Sequence, residues 1–237
     1  MPHNALRPLA VQPRPTTIGG VLVRLHAIEA ALPEQHGISC FNRLYRWTTE
    51  HVSKALRERR FEEPQTIAAL DVAFANLYFD AVDAWAEARD IPGAWAPLFE
   101  HAHDTDISPL RFALAGMNAH INRDLAVALV RAQDTAPVDD TPRFRDYMRI
   151  NQVLDETSDD VRDRVLPPAL DRLDARLGEL DDRAIIGLIT AARRLAWEEG
   201  QRLWAVREGG LLWDVAVGAL DLAAGGIARG ILMEGNG

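Results

Sequence analysis

The chain has 237 residues, of which 48% are hydrophobic and 26% charged, so it is long enough for one domain with a sizeable core and too apolar to be disordered. Its formal net charge of −9 argues against a general nucleic-acid binder, which would show a basic face. The single cysteine, Cys40, excludes an intramolecular disulfide and fits a reducing compartment. We therefore expect a cytoplasmic protein with no nucleic-acid partner.

Helical periodicity recurs along the chain, whereas strand signals are nearly absent. Residues 1–17 are rich in proline and predict a flexible N-terminal arm. Apolar spacing then predicts helices over 18–32, 38–59 and 65–90. A short helical piece follows the break at 91–93.

Two later helices begin with the same signal, a hydroxyl side chain that can cap the helix followed by proline. Ser108–Pro109 predicts a helix to about residue 132, and Thr141–Pro142 predicts one to about residue 156. A further helix is predicted from Ser158, with a kink at Pro167–Pro168, and another over 181–207. The fold class is therefore all-α, a single-domain bundle of about eight helices over 18–208.

The C-terminal stretch, 209–237, follows a Gly209–Gly210 break and predicts a glycine-interrupted helix or tail that packs on the same domain. It is the longest apolar stretch, but Asp214, Asp221 and Arg229 interrupt it. We expect it to be a poor membrane span.

Several polar residues fall inside the apolar arcs of the predicted helices. Asp124 lies in the apolar stripe of the helix that begins at Ser108, with His120 one turn earlier on the same side. Asp71 and Glu199 lie in the stripes of two other helices, and Asn151 lies beside an apolar stripe. A carboxylate taken out of water costs several kcal/mol unless it is paired or neutralised. We expect these groups to converge on one polar pocket.

Buried acids beside a histidine have perturbed pKa values, which suit acid–base catalysis. The candidate catalytic residues are His120, Asp124 and Asp71. Their carboxylates and imidazole, together with Glu199, could also hold a divalent metal. The candidate substrate-binding residues are Asn118, Asn122, Asn151, Asn76, Tyr78 and Trp47.

Each carboxylate also has a structural interpretation. Asp71 could form a core salt bridge with an arginine, and Glu199 could pair with an arginine on its own helix. His120 and Asp124 could be an i,i+4 pair that orders the bundle. Two functions stay open: a soluble enzyme that acts on a small, largely apolar molecule by hydrolysis, elimination or cyclisation, or a non-catalytic helical binding or interaction protein, with a homodimer as one option.

Three stretches together resemble an actinobacterial family of uncharacterised helical proteins, known as a numbered domain of unknown function. They are CFNRLYRWTTE (40–50), LDVAFANLYFDA (70–81) and FALAGMNAHINRDL (112–125). The resemblance spans about residues 18–205, and GMNAHINRDL is its most specific part. It implies a helical fold, with no settled activity, and its motifs include Asp71, Asn76, Asn118, His120, Asn122 and Asp124.

Overall fold

The computed structural model describes residues 2–156 and 182–233, and all regular secondary structure within these ranges is helical. The predicted all-α class is confirmed. The helix predicted from Ser158, with its kink at Pro167–Pro168, lies outside the described residues. The elements are α1 (Pro2–Ala10), α2 (Ile18–Ala31), α3 (Gly37–Arg57), α4 (Pro64–Ala86), α5 (Ala96–Glu100), α6 (Pro109–Ala119), a π-helical turn (His120–Asp124), α7 (Leu125–Arg131), α8 (Pro142–Asp155), α9 (Asp182–Ala205) and α10 (Leu211–Met233).

The N-terminal residues form a helix where a flexible arm is predicted over 1–17. The side chains of Leu6 and Leu9 on α1 are buried in the main core. The Arg7 Nε donates a hydrogen bond to the Ala86 carbonyl at 3.3 Å, at the end of α4. Tertiary burial of two leucines outweighs the local effect of Pro8, which removes one hydrogen bond inside the helix.

The two capped helix starts form as the sequence indicates. The Ser108 Oγ accepts a hydrogen bond from the Arg111 N–H at 3.4 Å, and the Thr141 Oγ1 accepts one from the Phe144 N–H at 3.1 Å. In both helices proline occupies the first position, where no N–H is needed.

The hydrophobic core has two main clusters that meet at the π-helical turn. The first cluster contains residues of α1 to α6 and the C-terminal half of α10, and the second contains residues of α4, α7, α8 and α9. Phe74 on α4 and Met117 on α6 pack against both. His120 and Asp124 therefore lie between the two clusters, where a polar group has little access to water.

One face of α10 packs on α5 and α6. Its contact side consists of Ala224, Gly225, Ala228 and Leu232. A Cβ at Gly225 would lie 2.5 Å from the Gly93 carbonyl oxygen, so only glycine permits this approach. In length and composition α10 could cross a membrane: its most apolar 18-residue window has a mean hydropathy of 1.6, and 22% of that window is buried. The expectation of a poor membrane span stays a prediction.

Candidate functional site

A single π-helical turn, His120–Asp124, interrupts the long helix formed by α6 and α7. Such turns widen the helix by one residue, and they occur frequently at functional sites. Here the His120 Nδ1 lies 3.0 Å from the Asp124 Oδ2, and both residues are buried. The structure therefore brings together the two residues that helical spacing places on one side.

The Asp124 carboxylate is fully hydrogen-bonded. Its Oδ2 accepts from His120 and from the Trp95 Nε1 at 3.0 Å, and its Oδ1 accepts from the Arg123 Nη1 at 2.8 Å. Arg123 also lies 3.3 Å from the Asp221 Oδ1 on α10. The buried negative charge is thus paired with a cation, as burial requires.

The arrangement around Asp124 fixes the tautomer of His120. Because a carboxylate only accepts hydrogen bonds, the Nδ1 carries the proton, and the Nε2 of the neutral ring has a lone pair. The Nε2 is buried, and no described residue makes a hydrogen bond to it. Burial lowers the pKa of His120, while Asp124 opposes this change, so the ring is neutral at pH 7.

Aromatic rings surround the imidazole of His120. Phe74 stacks on it with ring centroids 3.5 Å apart, and Tyr45 meets it edge-on at 4.4 Å. Phe41, Trp95 and Tyr78 lie within 5.6, 5.8 and 6.1 Å of it. A molecule that reached the Nε2 would therefore contact mainly apolar surface.

The Asp71 Oδ2 on α4 is a further buried polar atom with no hydrogen-bond partner within residues 2–156 and 182–233. The Tyr45 hydroxyl on α3 is buried as well, on the ring that meets the imidazole edge-on. Burial raises the pKa of Asp71 from 3.8 to about 7. Burial also raises the pKa of Tyr45, the charge of Asp71 adds to this effect, and a hydrogen bond with the Thr49 side chain opposes it. The arginine salt bridge that was the alternative for Asp71 is absent from the described residues.

The predicted substrate-binding residues are dispersed, and most of their polar groups bind other parts of the protein. The Asn118 Nδ2 donates to the Ala224 carbonyl on α10 at 2.8 Å, and the Asn122 Nδ2 donates to the Asn118 Oδ1 at 2.9 Å. The remaining contacts are Asn76 to the Pro15 carbonyl at 3.0 Å, Arg193 to Asn151 at 2.7 Å, Tyr78 to Asn42 at 3.3 Å, and Trp47 against the His51 ring at 4.2 Å.

The predicted four-ligand metal site does not form in the described part of the chain. No three His, Cys, Asp or Glu side chains there lie close enough together to hold an ion. Glu199, one of the four predicted ligands, is half-buried and pairs with Arg202 on its own helix. The prediction that Asp71, His120, Asp124 and Glu199 share one metal is therefore wrong for these residues.

Sequence reasoning missed three groups that complete the site, of which Arg123 lies in the π-helical turn itself and Trp95 and Tyr45 lie elsewhere in the fold. Trp95 donates to Asp124, Arg123 neutralises it, and Tyr45 packs on the imidazole. The apolar stripes give no signal for Trp95 or Tyr45, because both look like ordinary core residues. Only Arg123, next to a buried acid, could have been inferred.

A surface cavity of about 380 Å³ lies elsewhere, where α7, α9 and α10 come together. Trp204, Trp213, Arg131 and Arg207 are among its lining residues, and it touches neither His120 nor Asp71. The acid–base groups and this cavity are thus separate features.

The fold and site define an all-α protein with a buried histidine–carboxylate pair enclosed by aromatic rings. The chain belongs to the family of unknown function DUF5995, whose model matches residues 18–234. Comparison with curated proteins and with solved structures finds no match.

Proposed function

We propose that the protein is an enzyme that moves a proton to and from a small, largely apolar molecule at the Nε2 of His120. The observation that carries the proposal is this buried, unpaired Nε2 on a ring whose other nitrogen is held by Asp124. A buried nitrogen without a partner costs free energy, so its retention favours a functional role.

The roles follow from the hydrogen bonds. His120 accepts a proton from the substrate or from an attacking water at its Nε2, and Asp124 stabilises the imidazolium that forms. The imidazolium then returns the proton to the product from the same Nε2. The Tyr45 hydroxyl, on a ring that meets the imidazole edge-on, would donate a hydrogen bond to a substrate oxygen. This proton transfer is common to hydrolysis, elimination and cyclisation.

The aromatic surroundings support an apolar substrate. Phe74 covers the imidazole and is itself half-buried, as is Asp71 on the same helix. We infer that the substrate enters on this side and that Phe74 moves aside as it binds.

Alkylation with phenacyl bromide tests the proposal without a known substrate. This small apolar reagent forms a bond between its methylene carbon and an unprotonated imidazole nitrogen, and bromide leaves. We expect peptide mass spectrometry to find His120 modified, and modified more slowly in Asp124→Asn. His26, which is exposed, provides the reference rate, and Cys40 is protected because burial raises its thiol pKa to about 11. Modification of exposed histidines while His120 stays intact would contradict the proposal.

A second candidate function, a non-catalytic binding or interaction protein, is favoured by the other buried acids. Asp83 is paired with Arg14 and Arg24, and the Asp146 carboxylate accepts hydrogen bonds from the backbone N–H groups of Glu62 and Glu63. These contacts join different parts of the chain and need no substrate. For such a protein, His120 stays unmodified and Asp124→Asn mainly lowers stability.

We further infer that GMNAHINRDL, which contains His120 and Asp124, is the functional motif of the family. The actinobacterial origin, the cytoplasmic location and the absence of a membrane span stay predictions.

A further inference from the structure

The outward face of α10 is the most apolar exposed surface in the described part of the chain. Among the described residues, eleven large hydrophobic residues are exposed, and six of these eleven lie on α10. They are Leu211, Leu212, Val215, Leu222, Ile227 and Met233. Contiguous apolar surface of this kind marks an interaction site more often than scattered exposed residues do.

The other side of α10 is firmly attached to the body of the protein. The Asp221 Oδ1 accepts from the Ala94 N–H at 3.1 Å and pairs with Arg123. The Arg111 Nε donates to the Ile231 carbonyl at 2.6 Å. Because these polar contacts hold α10 in place, its apolar face is presented outward as a rigid surface.

The residues of the outward face are spaced symmetrically along the sequence on either side of Leu222. Turning the helix by about 100° per residue places seven residues within about 40° of Leu222. Their sequence spacing is 4-3-4-4-3-4, which is symmetric about Leu222. One glycine lies four residues before Leu222 and one four residues after it, and two large residues follow outward on each side: Leu211, Val215, Gly218, Leu222, Gly226, Arg229 and Met233. No atom lies within 4 Å of a Cβ built at Gly218 or Gly226.

We propose that this face binds the same face of a second copy of the chain, with the two α10 helices antiparallel about a two-fold axis at Leu222. Gly218 then lies opposite the partner subunit's Gly226, which leaves room for the two Leu222 side chains. Such a self-complementary patch is what a two-fold interface requires. The proposal does not depend on the catalytic role of His120.

Charge complementarity supports this orientation. Asp214 and Arg229 are the two exposed charged residues of α10, and they lie near opposite ends of the helix. Antiparallel pairing places Asp214 beside the partner subunit's Arg229, on the same side of the interface and within about one residue along the axis. A parallel pair would leave Arg229 beside the partner's Arg229.

A second copy fits this face better than a lipid bilayer. A bilayer would leave the charge of Arg229 and the Gly218 and Gly226 gaps without partners, whereas a second helix fills the gaps and pairs the charge. The 23-residue helix is about 34 Å long, so one helix pair buries less than the roughly 800 Å² per partner of a standard interface. We therefore expect a dimer that dissociates on dilution.

Cysteine cross-linking of the full chain tests the geometry. In Leu222→Cys the new thiols meet at the two-fold axis, and we expect a disulfide-linked dimer under mild oxidation. The matched control is Ile227→Cys on the same helix, since Leu222 and Ile227 are 79% and 51% exposed. Two copies of residue 227 would lie about 15 Å apart along the axis, beyond the reach of a disulfide. The native Cys40 is 2% exposed and does not interfere. Equal cross-linking of both variants would overturn the proposal.

A charge exchange tests the orientation independently of cross-linking. In sedimentation velocity we expect Asp214→Arg or Arg229→Asp alone to raise the dissociation constant about tenfold. The double variant restores the pair with the charges reversed, and its dissociation constant returns towards that of the wild type. A wild-type protein that stays monomeric at high micromolar concentration overturns the proposal, and co-sedimentation with phosphatidylcholine vesicles would then assign the face to a bilayer.

Discussion

The Asp71 Oδ2 is buried and has no hydrogen-bond partner among the described residues. The free-energy cost of burying this carboxyl group depends on pH. Its pKa is raised from 3.8 to about 7, so between these values the folded protein binds more protons than the unfolded chain does. The free energy of unfolding therefore falls as pH rises from about 4 to 7 and is level above.

We expect Asp71→Asn to be more stable than the wild type at pH 8, by roughly 2–4 kcal/mol, and close to it at pH 4. Urea unfolding at both pH values measures the difference. Asp80→Asn is the matched control, since Asp80 lies on the same helix, is exposed, and pairs with Arg14. If Asp71→Asn is destabilising at pH 8, Asp71 has a partner that the structure does not show.

At the scale of the residue, the sequence predicts what local geometry determines. His120 and Asp124 are four residues apart on one helix, so their contact follows from helical spacing. Glu199 lies inside the apolar arc of its helix and yet is half-buried and paired with Arg202, because periodicity alone does not determine how closely each turn of the helix packs on the core. Trp95 and Tyr45 reach the site through tertiary packing, which no spacing within one helix reveals.

Glycines allow α3 and α6 to cross closely, and Gly116 makes the closest approach. A Cβ at Gly116 would lie 2.4 Å from the Phe41 Cγ, and the Phe41 ring also lies against His120. We expect Gly116→Ala to force the helices apart and to cost about 1–3 kcal/mol of stability. Thermal unfolding measures the loss.

Gly187 on α9 provides the control for Gly116. A Cβ there would meet no atom within 4 Å, so Gly187→Ala adds only helix propensity. We expect it to raise stability by about 0.5–1 kcal/mol. If Gly116→Ala lowers stability and Gly187→Ala raises it, the loss in Gly116→Ala comes from the contact with Phe41. Equal changes in stability would contradict this explanation.

The N-terminal helix α1 contributes to the stability of the whole bundle through its leucines. Leu6 is fully buried in the main core, whereas Val11, one residue beyond the helix, is 80% exposed. We expect Leu6→Ala to cost about 2–4 kcal/mol and Val11→Ala less than about 0.5 kcal/mol. Urea unfolding compares the two, and a negligible effect of Leu6→Ala would support the flexible arm that the sequence predicts.

At the scale of the element, capped starts are predictable because the signal is local. Ser108 and Thr141 bond to the backbone three residues later, whatever the rest of the fold does. The π-helical turn at His120–Asp124 has no such local signal and arises where α6 and α7 pack against different core clusters. The helical state of α1 likewise depends on the surface that it covers.

For the molecule as a whole, a chain of charged groups connects α10 to the candidate site. Asp221 on α10 pairs with Arg123, and Arg123 pairs with Asp124, which in turn holds His120. Docking of the C-terminal helix therefore helps to fix the arginine that neutralises the buried carboxylate. Sequence periodicity places each of these residues on a helix but gives no information on which helices meet.

Because of these ion pairs, we expect a substitution on α10 to alter the reactivity of the His120 imidazole. In Asp221→Ala the hydrogen bond to the Ala94 N–H and the ion pair with Arg123 are both lost, and we expect a stability loss of about 1–3 kcal/mol. Amide exchange of α10 should then accelerate, and alkylation of His120 by phenacyl bromide should change in rate because Arg123 is less constrained. Glu208→Ala, in the exposed turn before α10, is the control, since its surface ion pair with Arg207 contributes little. Faster exchange in α10 with an unaltered rate at His120 would show that the helix docks without influencing the site.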